Sequence, residues 1–337
     1  MARSQNFLKR ELLKKSFLVF VFFLLLTLYT APIKTEAQLT GTAVGQVTLT
    51  INPAFPEPLS SVLVTAHNNL IDLDRSTIVW YQNGIEKSRG IGKKTFVFNT
   101  STAGSETTIR AFIESPQGLT FNSEIIVRPT VLDLLWEAET TTPLLYKGKA
   151  LPSSESLVRI VALPHFIYNG LPLRSADLYY EWKVGSRLLS NFSGKGKDTL
   201  IINAPKTFGE TVVSVKVTSS LYSFSAQKNL IVKSIEPEVY LYQVIPNEGI
   251  TLRNILGERH VLDGEFSIKG VPYYFSKNKP LLFSWRQNSQ LLASQDDQIS
   301  FSEGSTKLEK VSSISLLVTN SEKLLQFAKV NLAITPQ

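Results

Sequence analysis

The chain of 337 residues has no cysteine and a single methionine. Without cysteine there is no disulfide, no thiolate nucleophile and no cysteine-ligated metal, so any folded unit must be held by its apolar core. Helical periodicity is also missing beyond a turn or two outside the first 37 residues. There is only one long apolar run. Net charge is small over most of the length. Residues 1–37 carry six basic and two acidic groups, hence +4 of the formal net charge of +7. The rest is close to neutral and lacks the basic stripe that phosphate neutralisation needs, which argues against a nucleic-acid partner.

The first 37 residues have the layout of an export segment. Lys9 to Lys15 precede "SFLVFVFFLLLTLYTA", Ser16–Ala31, an uncharged stretch short for a membrane span but suited to a signal-peptide core. "TEA" (Thr35-Glu36-Ala37) places small residues at −3 and −1 of a cut before Gln38. The competing reading is an uncleaved anchor over residues 16–31. Either way residues 38–337 are expected outside the cytoplasm, in the periplasm, on the cell surface or secreted. Contact with the membrane is expected only through the N-terminal segment.

Three tryptophans recur, Trp80, Trp182 and Trp285, in "STIVWYQNG", "LYYEWKVGS" and "LLFSWRQNS". A turn pair follows each at the same offset: Asn83-Gly84, Gly185-Ser186 and Asn288-Ser289. Asn-Gly is a strong hairpin signal. Downstream of each Trp runs an alternating stretch whose apolar members are Ile109, Ala111 and Ile113, then Val213, Val215 and Val217, then Ile314, Leu316 and Val318. Period two means one face on a core and one toward water. A last strand closes each unit: "FNSEIIVRP", "SAQKNLIVK" and "AKVNLAITP".

These signals predict an all-β chain of three tandem antiparallel β-sandwiches over residues 38–130, 131–235 and 236–337, following a signal peptide or membrane anchor over 1–37. Each Trp is expected on the third strand, filling the space between sheets. Pro129 and Pro237 mark short joints, which tend to hold neighbours in a semi-rigid row. "WYQNG" with "TTIRAFIESPQG" resembles the tandem immunoglobulin-like or PKD-like repeats of bacterial surface and periplasmic proteins. "LLWEAETTTPLLYKGKALP" is similar to sandwich domains of exported bacterial proteins. The resemblance runs from about residue 46 to 337 and departs from immunoglobulin proper in having no cysteine on the strand pair. Such families imply spacing, adhesion or assembly.

Signals of chemistry are weak. His67, His165 and His260 lie 13, 17 and 25 residues before their tryptophans, so they are not equivalent members of a repeated site. No metal spacing, no Gly-x-Ser-x-Gly elbow and no phosphate loop is present. "SGKGKDT" (Ser193–Thr199) reads as a polar hairpin loop. Asp72 with Asp74, and Asp296 with Asp297, read as turn residues rather than calcium ligands. No catalytic, cofactor-binding or metal-ligating residue is assigned, and the chain is read as non-enzymatic. Tyr146, Tyr273 and Tyr274 fall in segments read as loops and are the candidate ligand-contact aromatics.

The function expected is a structural spacer or protein-interaction and adhesion module of the envelope. The alternative is a carbohydrate-binding module for cell-wall or surface polysaccharide. The partner is accordingly an envelope protein or a surface polysaccharide. Intact mass after separating soluble and membrane fractions distinguishes the N-terminal readings: a soluble species beginning at Gln38 is expected, and a membrane-bound one retaining residues 1–37 would establish an anchor.

Overall fold

The computed structural model describes residues 47–142, 146–206, 209–255, 259–262, 266–301 and 312–336. The export segment over 1–37 lies outside the described residues, and no described helix is long and apolar enough to cross a membrane. Among the described residues regular structure is β throughout, apart from a 3-10 turn at Ser175–Asp177.

The first group of strands is β1 (Thr48–Asn52), β2 (Ser61–His67), β3 (Thr77–Gln82), β4 (Ile85–Ile91), β5 (Thr95–Asn99), β6 (Thr107–Glu114) and β7 (Thr120–Val127). A sheet in the order β1-β2-β5 faces another in the order β4-β3-β6-β7. The second group comprises β8 (Val131–Ala138), β9 (Leu157–His165), the short hairpin β10 (Ile167–Tyr168) and β11 (Leu171–Pro172), β12 (Tyr179–Val184), β13 (Arg187–Leu188), β14 (Gly194–Lys195), β15 (Thr199–Asn203), β16 (Glu210–Thr218) and β17 (Ser225–Lys233). Its sheets run β15-β9-β8 and β13-β12-β16-β17, which is the first arrangement repeated.

The third group holds β18 (Glu238–Ile245), β19 (Gly249–Ile255), β20 (Arg259–Leu262), β21 (Phe266–Tyr273), β22 (Leu281–Gln287), β23 (Gln290–Leu291), β24 (Gln298–Phe301), β25 (Ser312–Asn320) and β26 (Phe327–Pro336). The sheets are β19-β18-β21-β24 and β20-β26-β25-β22-β23, the same plan with β19 and β20 added at the edges. Two of the expectations need correction here. Trp182 and Trp285 each lie on the fifth strand of their group, because the β10–β11 hairpin precedes β12 and β19 and β20 intervene before β21. Nor is every pairing antiparallel, since β20 runs parallel to β26.

The parallel contact has a counterpart in each group. Thr130 N–H donates to Pro56 O at 3.1 Å, and Ile235 N–H to Pro152 O at 2.9 Å. After its first strand the chain bends and comes alongside the end of its last strand, tying the two ends of the group together. Proline costs nothing at these positions, since its carbonyl accepts and no N–H is needed.

Trp80, Trp182 and Trp285 are each fully buried, and so are the three apolar members of β6, β16 and β25. The ladder registers are equivalent: Trp80 faces Ala111, Trp182 faces Val215 and Trp285 faces Leu316. Each indole N–H donates to a main-chain carbonyl of the segment crossing to the other sheet: Lys93 O at 2.8 Å, Lys197 O at 2.9 Å and Asp296 O at 2.8 Å. The next carbonyl accepts from the opposite sheet, with Ala66 N to Lys94 O at 2.9 Å, Ala162 N to Asp198 O at 2.9 Å and Gly270 N to Asp297 O at 2.7 Å. "SGKGKDT" is therefore a crossover between sheets rather than a hairpin loop. Small residues are required on the facing strand; a Cβ at Gly270 would overlap the Leu316 side chain.

The turn chemistry also repeats. Asn83 Oδ1 accepts from Thr108 N and Asn288 Oδ1 from Ser313 N, both at 2.9 Å. Asn83, Gly185 and Asn288 all have positive φ, at 51°, 58° and 46°, which Asn and Gly tolerate best.

Trp182→Ala should lower the stability of the second core by about 3–5 kcal/mol through lost burial and a residual cavity. Trp182→Phe should lose less, about 1–3 kcal/mol, chiefly by leaving the Lys197 carbonyl without its donor. Urea unfolding followed by circular dichroism measures both, and equal losses would contradict the volume argument.

Candidate functional site: a tyrosine cluster and a cleft beside the second and third cores

Alternation along β18 sends Val239 and Leu241 into the third core. Glu238, Tyr240 and Tyr242 therefore share the outer face. Register places Tyr273 of β21 directly opposite Glu238 and so on that same face. The Tyr240 and Tyr273 rings are 4.9 Å apart between centroids and tilted by 58°, and the Tyr242 and Tyr273 hydroxyls are hydrogen-bonded. Tyr240 donates to Glu238 Oε2 at 2.7 Å.

Tyr273 thus ends a strand rather than lying in a loop. Tyr274 follows it with φ of 61°. That conformation is costly for a bulky side chain, and it turns the Tyr274 ring out of the β21 alternation. The Tyr274 ring lies 6.2 Å from Tyr273 at 72°, and its phenol is close enough to Tyr146 for that side chain to help raise its pKa. All three candidate tyrosines are therefore brought together, although Tyr146 is far away in sequence.

The main chain explains the approach. Tyr274 N–H donates to Thr141 O at 2.8 Å, Thr141 N–H to Phe275 O at 2.7 Å and Lys277 N–H to Glu139 O at 3.0 Å. The segment after β8 thus pairs with the segment after β21, with a bridge between Thr140 and Ser276.

Desolvation is the first cause of the raised Tyr273 and Tyr274 phenol pKa values. The hydrogen bond to Tyr242 adds to it for Tyr273, and the approach of Tyr146 for Tyr274, which is pushed up to about 12. Tyr240 is raised mainly by its bond to the Glu238 carboxylate. The cluster is a set of neutral phenols bonded to one another and tilted, not a flat stacking platform. Tyr146 remains 41% exposed.

Beside Tyr240 opens a cleft of about 420 Å³, lined by Ser154, the stretch from Ile235 to Tyr240, and Leu325 to Lys329 without Gln326. Phe327 stands 58% exposed at its edge, and Glu236 and Glu238 supply carboxylates. Reading the sequence missed Tyr240, Tyr242 and the cleft. The signal for the two tyrosines was present in "EVYLYQ", where alternation already puts them with Glu238.

The other sequence-level candidates are occupied locally. His67 Nε2 is 2.9 Å from Thr50 Oγ1, and His165 lies 3.5 Å from Asp133, with both partners exposed. The His260 side chain lies outside the described residues. Asp72 Oδ1 accepts from Asp74 N at 3.0 Å as a turn residue does, Asp74 pairs with Lys94 and Asp297 with Lys269. Among the described residues no group of three or more His, Cys, Asp or Glu could hold a metal ion.

No family model and no curated protein matches this chain. Solved structures do. One is the three N-terminal domains of the highly immunogenic outer capsid protein of bacteriophage RB49, at 13% identity and TM-score 0.25, covering 87% of this chain and 99% of that one. Another is the fibronectin(III)-like modules of Clostridium thermocellum CbhA, at 11% identity and TM-score 0.27, covering 56% and 94%. A third is SGBP-B of a Bacteroides ovatus mixed-linkage glucan utilization locus, in complex with a mixed-linkage heptasaccharide, at 12% identity and TM-score 0.22, covering 86% and 70%. The strand orders and registers define the class: tandem immunoglobulin-like β-sandwich repeats.

The raised phenols make the cluster sensitive to alkali. A tyrosine whose folded pKa lies above its unfolded value of about 10 contributes stability that is complete below that value. The contribution is lost as pH rises through the folded value. Tyrosinate absorbance should show a late-titrating set reaching about pH 12, and thermal stability should fall between about pH 10 and 12. Tyr146→Phe should move part of that set to lower pH.

Proposed function

We propose that residues 38–337 form a row of three sandwich domains, exported from the cytoplasm, that serves as a non-catalytic spacer and protein-interaction module of the cell envelope. The observation that carries this reading is the direct hydrogen bonding between groups. The backbone ladder from Glu139–Thr141 to Tyr274–Lys277 turns a covalent link into an oriented joint. A flexible tether would leave those backbone groups to water. In this reading the tyrosine cluster is joint packing first. Its bonded hydroxyls and tilted rings suit a fixed interface better than a stacking platform.

The partner in this reading is another envelope protein, engaged by surface complementarity or along an exposed sheet edge. Saccharide binding is a second reading, favoured by the cleft beside Tyr240. There an exposed ring at Phe327 and the carboxylates of Glu236 and Glu238 offer a stacking face and acceptors for sugar hydroxyls.

Solution scattering tests the row. An elongated particle is expected, with a radius of gyration well above the roughly 19 Å of a single compact body of about 300 residues; a value near that figure would overturn it. Binding to isolated wall polysaccharide that disappears in Phe327→Ala would favour the second reading, and undiminished binding would exclude the cleft as the sugar site.

A further inference from the structure

The two joints are built from different interactions. At the second joint Gln326 lies in the turn between β25 and β26 and is completely buried. Its amide Nε2 donates to Ser154 O at 2.7 Å and to Ser276 Oγ at 2.8 Å. Its Oε1 accepts from Ser276 N at 3.0 Å and from Asn320 Nδ2 at 2.9 Å. Both donor hydrogens and two acceptor positions are used, the full capacity of the side chain. One of the four partner atoms, Ser154 O, precedes β9 in the second group; the other three, from Ser276 and Asn320, belong to the third. The neighbouring ladder through Thr141 and Phe275 is also neutral. Neutral hydrogen bonds in a buried setting are strong, directional and barely screened by salt.

At the first joint charged contacts stand beside neutral ones, and its ion pair is exposed. Lys228 Nζ lies 3.5 Å from Glu57 Oε1, with side chains 42% and 64% exposed. The Arg128 guanidinium sits 5.8 Å from the centre of the Phe224 ring, and the Lys216 ammonium 5.8 Å from that of Phe55. Thr130 Oγ1 donates to Ser225 O at 3.2 Å. Gly104, with φ of 82°, lets its turn approach β10, where a Cβ would come within 2.9 Å of Ile167. Exposed ionic attraction decays over a Debye length, about 10 Å at 0.1 M salt and about 3 Å at 1 M.

We infer that the chain carries one stiff joint and one salt-sensitive hinge: Gln326 keys the third core to the second, whereas the first core swings against the second as salt screens the Glu57–Lys228 and cation–ring contacts. The inference rests on the row proposed above and adds to it where the row bends. Gln326 is a positioning residue in this device. It sets the angle between neighbours without contacting any ligand. A spacer of this kind projects its last two units as one body and adapts at the first joint.

Because the chain has no cysteine, two introduced cysteines carry the only spin labels. Asn122, Asn229 and Gln290 are exposed and stand one in each group, on β7, β17 and β23. Pulsed dipolar spectroscopy on the full-length gene product labelled at Asn122→Cys with Asn229→Cys reads the first joint. Asn229→Cys with Gln290→Cys reads the second. The first distribution should broaden between low salt and about 1 M salt while the second keeps its width. Gln326→Ala should broaden the second alone. Gln326→Met, which keeps length and volume without the amide, takes its place where the alanine variant does not fold. Lys228→Glu should broaden the first at low salt, and adding Glu57→Lys should narrow it again. A first distribution indifferent to salt, or unrescued by the charge swap, overturns the hinge. A second distribution unchanged by loss of the Gln326 amide overturns the lock. The mean distances report separately on the row: labels lying close together in every condition would contradict the spacer reading rather than the difference between joints.

Discussion

The hydrogen bond from a buried indole to the chain segment crossing overhead is the interaction on which each sandwich depends. A tryptophan between two sheets removes roughly 150–250 Å² from water, an upper bound of about 4–6 kcal/mol at 25 cal/mol/Å². Burial alone has no direction. The N–H supplies it by holding the Lys93, Lys197 or Asp296 carbonyl, so the chain leaves the tryptophan's sheet at a defined point. The following carbonyl then receives the opposite sheet's N–H. One ring thereby sets both the spacing of the sheets and their relative register. In a chain without disulfides nothing covalent duplicates this role.

Closure of each group follows from a second repeated device. The first strand begins in one sheet and then bends toward the last strand of the other, through Pro56, Pro152 or the parallel β20–β26 pair. This ties the start of each group to its end, so the next group begins close to where the previous one closed. Val127 ends β7 and Val131 begins β8, leaving three residues between. Over so short a link the neighbouring surfaces come into contact, and their chemistry sets what the link can do. At the first joint it is ionic and cation–ring contact beside one neutral Thr130–Ser225 bond, at the second a backbone ladder and a buried amide.

The tyrosine cluster illustrates how a joint shapes side-chain chemistry. Tyr274 adopts a left-handed conformation in the turn that pairs with Thr141, and its ring is thereby carried toward Tyr146. Desolvation then raises the phenols, and their mutual contacts raise them further above the ordinary phenol value. The neighbouring cleft joins this cluster through Tyr240 and ends at the exposed ring of Phe327, the most open aromatic surface of that region.

Periodicity, turn chemistry and repeated spacing act within a strand or a hairpin, so the sequence by itself determined the all-β class, the three tryptophans and the inward members of β6, β16 and β25. The same local logic makes Tyr179 exposed and Tyr180 buried as neighbours on one strand. The extra strands β19 and β20 were not legible, because "EVYLYQVIPNEGITLRNILG" contains the strand and turn but not the edge to which the return adds. Tyr240 and Tyr242 were legible as a face and not as a cluster. Gln326 left no signal at all: a lone amide between Leu325 and Phe327 is surface or lock according to whether Ser154, 172 residues away, arrives opposite it. Only the tertiary structure decided that, since buried hydrogen bonds require partners that lie on different strands and no local pattern specifies which strands will meet.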